Sequence, residues 1–259
     1  MSIVHSADGT PIFFDTTGDG PAVVVVNGAF STAADAGALA GVLAASGYTA
    51  VVYDRRARAR SGDTRPSTPE REVDDLAAVI EAAGGVEAVL GHSSGAVLAL
   101  FAASRGVPVG HLFLSEPPFR FGEGEPAADL PERLQQLVDE GRNGDAVATF
   151  QLEGVGLPAA MVEQIRASPM FDSLAALAQS TVYDATLTRQ VSNPTAEMLQ
   201  VSAPVIVLSG TDTFPFLHAA SERLAEEVSG AVFVEVPESV QHRLDPEATT
   251  RVIAAHLRP

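Results

Sequence analysis

The sequence around residues 86–104 decides the fold, because it reads as an apolar run, then Gly91-His92-Ser93-Ser94-Gly95, then a second apolar run. Residues 86–90 predict a strand buried on both faces, and residues 96–104 predict a buried helix. The five residues between them match G-x-S-x-G, in which a serine occupies a sharp strand-to-helix turn. Both glycines are required there, since larger side chains would clash with neighbouring backbone. Ser93 is therefore a candidate nucleophile.

Strands and helices alternate on both sides of this motif. Runs at residues 22–26 and 49–53, rich in β-branched side chains, predict two further buried strands, and two short strands flank the Asp8-Gly9 turn. After residue 203 the order strand, helix, strand, helix returns. The pattern predicts an α/β fold with a mostly parallel, doubly wound sheet of about eight strands, whose ligands bind at the carboxyl ends of the strands.

The alternation is interrupted between residues 119 and 202, where we predict no strand. Four amphipathic segments predict helices there, at residues 130–140, 145–153, 158–167 and 173–180. We therefore expect a core formed by residues 1–118 and 203–259. Residues 119–202 should form a helical cap, or lid, inserted after the sixth strand.

Composition excludes several classes of function. The 259 residues carry a net charge of −17, which disfavours binding to nucleic acid or to an anionic membrane surface. All 16 basic residues are arginine, so a lysine Schiff base is excluded. The chain has no cysteine, which excludes disulfides, thiol nucleophiles and cysteine-ligated zinc.

Sequence signals for a cofactor or for export are also missing. We find no spacing typical of metal ligands, and no G-x-G-x-x-G pattern opens a helix. Residues 1–6 lack the basic and apolar regions of a signal peptide. We expect a cytoplasmic protein that acts on a small-molecule substrate with no cofactor, no metal, and neither nucleic acid nor membrane as partner.

Three motifs resemble the α/β-hydrolase family, and the resemblance covers the whole chain. They are Asp54-Arg55-Arg56-Ala57-Arg58-Ala59-Arg60-Ser61-Gly62, Gly91-His92-Ser93-Ser94-Gly95-Ala96 and Glu116-Pro117-Pro118-Phe119. They are similar to a group of bacterial hydrolases whose first motif usually reads D-R-R-G-R-G-x-S-G, with Ala57 and Ala59 replacing glycines here. The resemblance implies a serine nucleophile, an acid and a histidine, in that chain order.

A serine hydroxyl needs an adjacent general base, and the chain has six histidines. His242 follows the last predicted strand, in a loop that opens at the same edge of the sheet as Ser93. His92 is expected to point elsewhere, because neighbouring side chains on a tight turn diverge. The other four lie on strands or helix ends that do not face this edge: His5, His111, His218 and His256. We therefore predict His242 as the base.

Two carboxylates compete for the role of the acid. Asp212 follows the seventh strand, which is the usual place in the family, and Glu116 follows the sixth, where some relatives carry it. Both loops open at the correct edge, and we expect Asp212 slightly ahead of Glu116. For the oxyanion, the backbone N–H of Ser94 is one donor. The resemblance implies the N–H of Ala29, in Asn27-Gly28-Ala29-Phe30, as the second.

These residues predict a cofactor-free serine hydrolase that cleaves a small ester, lactone or thioester through an acyl-enzyme on Ser93, with His242 as general base. One alternative keeps the same residues for acyl transfer or perhydrolysis. The other is a ligand-binding or cyclising protein built on the same scaffold. The arginines at residues 55–60 are expected to anchor their loop on nearby carboxylates rather than to bind an anion.

Overall fold

The computed structural model describes residues 1–257. An eight-stranded sheet runs through it in the order β1-β2-β4-β3-β5-β6-β7-β8. The strands are β1 (Ser2–His5), β2 (Pro11–Thr17), β3 (Ala22–Val26), β4 (Thr49–Tyr53), β5 (Ala88–His92), β6 (His111–Ser115), β7 (Val205–Ser209) and β8 (Val232–Glu235). Strand β2 pairs antiparallel with β1 and β4, whereas all later pairs are parallel. The predicted doubly wound α/β sheet is confirmed.

Eleven α-helices lie in the described part of the chain. They are α1 (Gly37–Ala45), α2 (Pro69–Ala82), α3 (Ser94–Ser104), α4 (Leu130–Asp139), α5 (Asn143–Thr149), α6 (Ala159–Arg166), α7 (Phe171–Ala175), α8 (Ala178–Gln190), α9 (Ala196–Leu199), α10 (Pro215–Glu227) and α11 (Pro246–Leu257). A 3₁₀ turn, Ala33–Ala36, precedes α1, and a π-helix, Phe150–Val155, follows α5. None of these helices has the length and hydropathy that a bilayer-crossing segment requires.

The sheet is covered on both faces, and its strands alternate between two apolar cores. Val24 and Val26 of β3 face a core formed with α2, α3 and α10, whereas Val23 and Val25 face a core formed with α1 and α11. All four valines are fully buried. This burial on both faces explains why β3 is a continuous apolar run.

Between β6 and β7 the chain folds into α4–α9 and the π-helix. This segment has a small core of its own, centred on Leu134, Val147, Phe150 and Val182. Helix α8 belongs to both parts of the molecule: it packs on α4 and α5, but also on α2 and α3 of the sheet layer. Its C-terminal end places Leu187 in the larger sheet core.

Two predicted elements differ from the structure. Strand β5 ends at His92 and not at residue 90, so it continues into the serine motif. The helix predicted at residues 173–180 is instead the short α7 and the start of α8, which extends to Gln190. The pattern of α8 is hidden because this helix is buried on several sides, among them the side that carries the charged Asp184, so no single apolar stripe marks it.

Candidate active site

Ser93 lies on the turn between β5 and α3, with φ 53° and ψ −126°. The flanking glycines make this turn possible. A Cβ on Gly91 would lie 2.5 Å from Cα of Ala96, and one on Gly95 would lie 2.1 Å from the carbonyl oxygen of Val26. Backbone atoms cannot move aside as a flexible side chain can, so both positions require glycine. The turn places Ser93 on the wall of a cavity at the carboxyl edge of the sheet.

The loop after β3 packs directly against Ser93. A Cβ on Gly28 would lie 2.8 Å from Cβ of Ser93 and 3.5 Å from its Oγ, so only glycine permits this approach. Ala29, the next residue, lines the same cavity. Ser94 is the first residue of α3, and N–H groups in a first helical turn have no acceptor within the helix. The predicted donors, Ala29 and Ser94, therefore both border the serine.

His242 lies in the loop after β8 and lines the same cavity as Ser93. Its Nδ1 is hydrogen-bonded to Oε2 of Glu116. Because the carboxylate accepts this hydrogen bond, Nδ1 carries the proton in the neutral imidazole, and Nε2 is the nitrogen with a lone pair available. The edge of the Phe214 ring packs on the imidazole, with the ring centroids 6.3 Å apart.

Glu116 directly follows β6, and its carboxylate is almost completely buried. Oε1 accepts the backbone N–H of Gly210 at 2.8 Å, and Oε2 accepts the hydroxyl of Thr213 at 2.9 Å in addition to His242. Burial works to raise the pKa of Glu116. The hydrogen bonds from His242, Gly210 and Thr213 outweigh it and hold the pKa below its usual value.

Asp212 is exposed and makes no side-chain hydrogen bond to His242 within residues 1–257. Its main chain holds the histidine loop instead: the Asp212 carbonyl accepts the N–H of Gln241 at 2.6 Å, and Asp212 pairs with Val240 in a short parallel bridge. In the structure the carboxylate that contacts His242 is therefore that of Glu116, and not that of Asp212. The cause is that β7 and the turn after it present the backbone of Asp212, and not its carboxylate, to the loop.

Ser93, Glu116 and His242 share an uncommon backbone conformation. Their φ angles are 53°, 46° and 60°, in the left-handed region that non-glycine residues rarely occupy. Such conformations cost of order 1–3 kcal/mol each and persist only where surrounding contacts enforce them. They occur here together, at one edge of the sheet.

His92 is a site residue that sequence reasoning missed. Its ring lies 4.5 Å from that of His242, and its Nε2 donates to the His242 carbonyl at 3.1 Å. Burial, and then the neighbouring His242, lower the pKa of His92 to about 3, so it remains a neutral donor. Its place at the end of β5 was the available signal, since β5 ends at the edge of the sheet from which the His242 loop emerges.

Three of the four arginines at residues 55–60, in the loop after β4, are buried, as anchors for their own loop would be. Arg55, Arg56 and Arg58 are each 1% exposed, and their guanidinium groups pair with three buried carboxylates: Glu72, Asp75 and Asp184. Ala57 and Ala59 have φ angles of 59° and 41°, so they keep the conformation that glycine favours. Asp184 comes from α8, far along the chain, and no local sequence signal identifies it.

The cavity beside Ser93 has a volume of about 280 Å³. Its walls are mostly apolar, with Phe150, Leu157 and Pro158 from the segment between β6 and β7, and Phe214 and Phe216 from the start of α10. Within the described residues, no cluster of three or more histidine or carboxylate side chains is placed to hold a metal ion. The site therefore joins a serine, an imidazole–carboxylate pair and two backbone N–H groups at an apolar cavity.

The sequence matches the alpha/beta hydrolase family over residues 23–254. This protein is an alpha/beta hydrolase. An alpha/beta hydrolase from Sphaerobacter thermophilus is 40% identical and superposes with a TM-score of 0.90, covering 99% of this chain and 100% of that one. No curated protein matches this hydrolase in sequence.

More distant structures share the fold of this hydrolase. An esterase from Exiguobacterium antarcticum is 17% identical with a TM-score of 0.72, covering 100% of this chain and 99% of that one. An enol-lactonase from Burkholderia xenovorans is 19% identical with a TM-score of 0.68, covering 99% of each chain. Membership of the family supports a hydrolase activity.

Proposed function

We propose that this protein is a serine hydrolase that cleaves a small ester, lactone or thioester, with Ser93 as nucleophile, His242 as general base and Glu116 as acid. The observation that carries the proposal is the hydrogen bond between Glu116 and Nδ1 of His242 beside a strained Ser93 on the same cavity. It leaves Nε2 as the nitrogen that can accept a proton from Ser93.

The proposed reaction has two halves. Oγ of Ser93 bonds to the acyl carbon while its proton moves to Nε2 of His242, and the oxyanion accepts hydrogen bonds from the N–H groups of Ser94 and Ala29. The bond to the leaving oxygen or sulfur then breaks, and that atom takes the proton from His242. Water repeats these steps on the acyl-enzyme and releases the acid. Glu116 stabilises the imidazolium ion without taking its proton.

We also propose that residues 119–202 act as a cap over this reaction. The π-helix and the turn after it contribute a wall of the cavity, from Phe150 to Pro158. Closing such a wall over the acyl group excludes bulk water and strengthens the hydrogen bonds to the oxyanion. The size and apolar character of the cavity favour a small, apolar acyl group.

A fluorophosphonate probe tests the nucleophile. Mass spectrometry should find one adduct, on the peptide that contains Ser93, and Ser93→Ala should abolish it. Ser93→Ala should also lower kcat on p-nitrophenyl acetate by roughly 10⁴- to 10⁶-fold. Ser46→Ala is the matched control, because Ser46 is an exposed serine at the end of α1, outside the cavity.

Product analysis separates hydrolysis from its alternatives. Hydrolysis releases one acid per ester consumed. Transfer to an added alcohol or to peroxide at the expense of that acid would identify an acyltransferase or perhydrolase. A wild-type protein that binds esters but is neither labelled nor active would contradict the proposal and favour a binding protein.

A further inference from the structure

Asp184 connects the segment between β6 and β7 to the loops around Ser93. Its carboxylate is fully buried and accepts three hydrogen bonds: from Arg55 at 2.9 Å, from the Ser94 hydroxyl at 2.7 Å and from Arg58 at 2.7 Å. Burial works to raise the pKa of Asp184, but the charges of Arg58 and Arg55 hold it below its usual value. The residue is therefore an anion that fixes the position of both arginines.

The two arginines also donate hydrogen bonds to the loop after β3. Nη1 of Arg58 donates to the Gly28 carbonyl at 2.5 Å and to the Ser31 carbonyl at 3.0 Å, and Nη1 of Arg55 donates to the Asn27 carbonyl at 3.3 Å. The loop that contains Ala29 is thus held by three of its carbonyl groups, those of Asn27, Gly28 and Ser31.

Because the peptide unit is planar, the hydrogen bond from Arg58 to the Gly28 carbonyl also sets the direction of the Ala29 N–H. The carbonyl of Gly28 and the N–H of Ala29 belong to one trans peptide unit and point in opposite directions. Because Arg58 holds the carbonyl in the protein interior, the N–H is turned away from Arg58, and Ala29 itself borders the cavity. We infer that Arg58, held by Asp184, is a positioning residue that aims the Ala29 N–H at the oxyanion. This inference rests on the proposed function.

The loop provides a matched control. Arg56 is as buried as Arg58, but it pairs with Asp75 at 2.6 Å and with Asp8 at 3.1 Å and makes no contact with the loop after β3 among the described residues. Replacing either arginine by methionine removes a buried ion pair and lowers stability. Only the loss of Arg58 should disturb the oxyanion donor.

The test combines steady-state kinetics with a trifluoromethyl ketone, which bonds to the serine and leaves an oxyanion. Arg58→Met should lower kcat on p-nitrophenyl acetate by roughly 10²-fold, the usual effect of losing one oxyanion donor, with little change in KM. Affinity for the trifluoromethyl ketone should fall by the same factor. Asp184→Asn should show a smaller loss of the same kind, and Arg58→Lys should recover part of the activity.

Arg56→Met should keep kcat and inhibitor affinity within about twofold, measured well below the thermal midpoint of every variant. Equal losses in Arg56→Met and Arg58→Met would overturn the inference, as would a loss of kcat without a loss of inhibitor affinity. Completed fluorophosphonate labelling of Ser93 shows that a variant is folded. Absence of labelling in the wild type would instead contradict the proposed function.

A second inference concerns Arg120, which separates two cavities. Arg120 and Phe216 line both the cavity at Ser93 and a neighbouring cavity of about 260 Å³, which lies beside Phe119 and Phe121. The guanidinium stacks 4.4 Å from the centroid of the Phe216 ring and donates one long hydrogen bond, 3.4 Å, to the Gly154 carbonyl. Within residues 1–257 the Arg120 guanidinium forms no ion pair, so stacking on Phe216 and the hydrogen bond to Gly154 hold the side chain in place.

We propose that Arg120 is a specificity-determining residue that closes the reaction cavity and restricts the enzyme to esters of short acyl chains. The proposal rests on the proposed function. If the side chain is shortened to alanine, the two cavities join, and a longer acyl chain can extend from Ser93 into the space beside Phe121. Methionine, which has nearly the reach of arginine, should keep the wall without the charge.

Acyl-chain profiles test this proposal. Arg120→Ala should raise the ratio of kcat/KM for p-nitrophenyl octanoate over acetate by about tenfold or more, because methylenes that were excluded become buried. Arg120→Met should keep the wild-type ratio. The control is Arg105→Ala, an exposed arginine that stacks 5.9 Å from the Phe101 ring centroid and lines neither cavity. An unchanged ratio in Arg120→Ala, or equal shifts in the alanine and methionine variants, would overturn the proposal.

Discussion

Glu116 and Asp212 follow neighbouring parallel strands at the same edge of the sheet, yet their environments are opposite. Glu116 is 2% exposed and its carboxylate accepts hydrogen bonds from three partners, whereas Asp212 is exposed and contributes its main chain. Strand order thus places both loops near His242, but the backbone conformation of each loop determines whether its side chain or its main chain contacts the histidine loop. Glu116, with φ 46°, turns its side chain inward between β6 and β7.

Among the changes that test this comparison, Glu116→Gln should have the largest effect. An amide cannot stabilise the imidazolium ion and can favour the wrong tautomer, so kcat should fall by roughly 10³- to 10⁴-fold while the fold is retained. Kinetics on p-nitrophenyl acetate, with circular dichroism as the control for folding, measure this. A loss below tenfold would remove Glu116 from the proposed triad.

Gly210→Ala should have the next largest effect. Its Cβ would lie 2.0 Å from the Ser239 carbonyl and 3.3 Å from Oε1 of Glu116, so the backbone that donates to Glu116 must move. We expect a loss of about 1–3 kcal/mol in stability and roughly 10²-fold in kcat. Gly41→Ala is the control, because nothing lies within 4 Å of the added Cβ. Equal stability and equal kcat in the two variants would contradict the role of the Gly210 backbone in holding Glu116.

Acid titration of stability distinguishes a hydrogen-bonded carboxylate from a free one. The pKa of Glu116 is lowered from its usual 4.5 in the folded state, so its contribution to stability is complete above the unfolded-state pKa and is lost as the pH falls through the lower native value. Chemical denaturation from pH 7 downward should therefore show the stability of the wild type approaching that of Glu116→Gln below about pH 4.5. A constant difference would contradict the assignment.

Asp212→Asn should have the smallest effect, with kcat within about twofold of the wild type, because the carbonyl that accepts the Gln241 N–H remains. The check is to measure kcat and the thermal midpoint of Asp212→Asn and Glu116→Gln side by side. If Asp212→Asn costs more than Glu116→Gln, the carboxylate of Asp212 has a role that the hydrogen bonds of the site do not reveal.

The sequence predicts the sheet, the serine turn and the histidine loop because their signals are local. The run at residues 22–26 is entirely apolar and rich in valine, and Gly91 and Gly95 flank the serine within five consecutive residues. The sequence does not show which carboxylate contacts His242, because that contact depends on hydrogen bonds that Gly210 and Thr213 donate to Glu116 from a loop distant in the chain.

Helix α8 is a second element that local sequence signals do not predict correctly. Thr181, Val182 and Thr186 are β-branched and weaken helix propensity, and Asp184 reads as a surface residue although it is fully buried. Charge alone does not reveal burial, because Asp184 is paired in the interior with Arg55 and Arg58, which lie more than a hundred residues away in the sequence. Such pairs are visible only once the fold is known.

Helix α8 is tied to the sheet layer through Asp184, and this has a consequence for exchanging the segment between β6 and β7 between relatives. A chimera that replaces residues 119–202 would remove Asp184 and leave the guanidinium of Arg58 buried without its carboxylate. A junction at residue 177, just before α8, keeps that pair and replaces α4–α7 together with the π-helix, which is the one of these elements that lines the cavity. The C-terminal junction of such a chimera therefore belongs at the start of α8 and not at residue 202, where the segment ends.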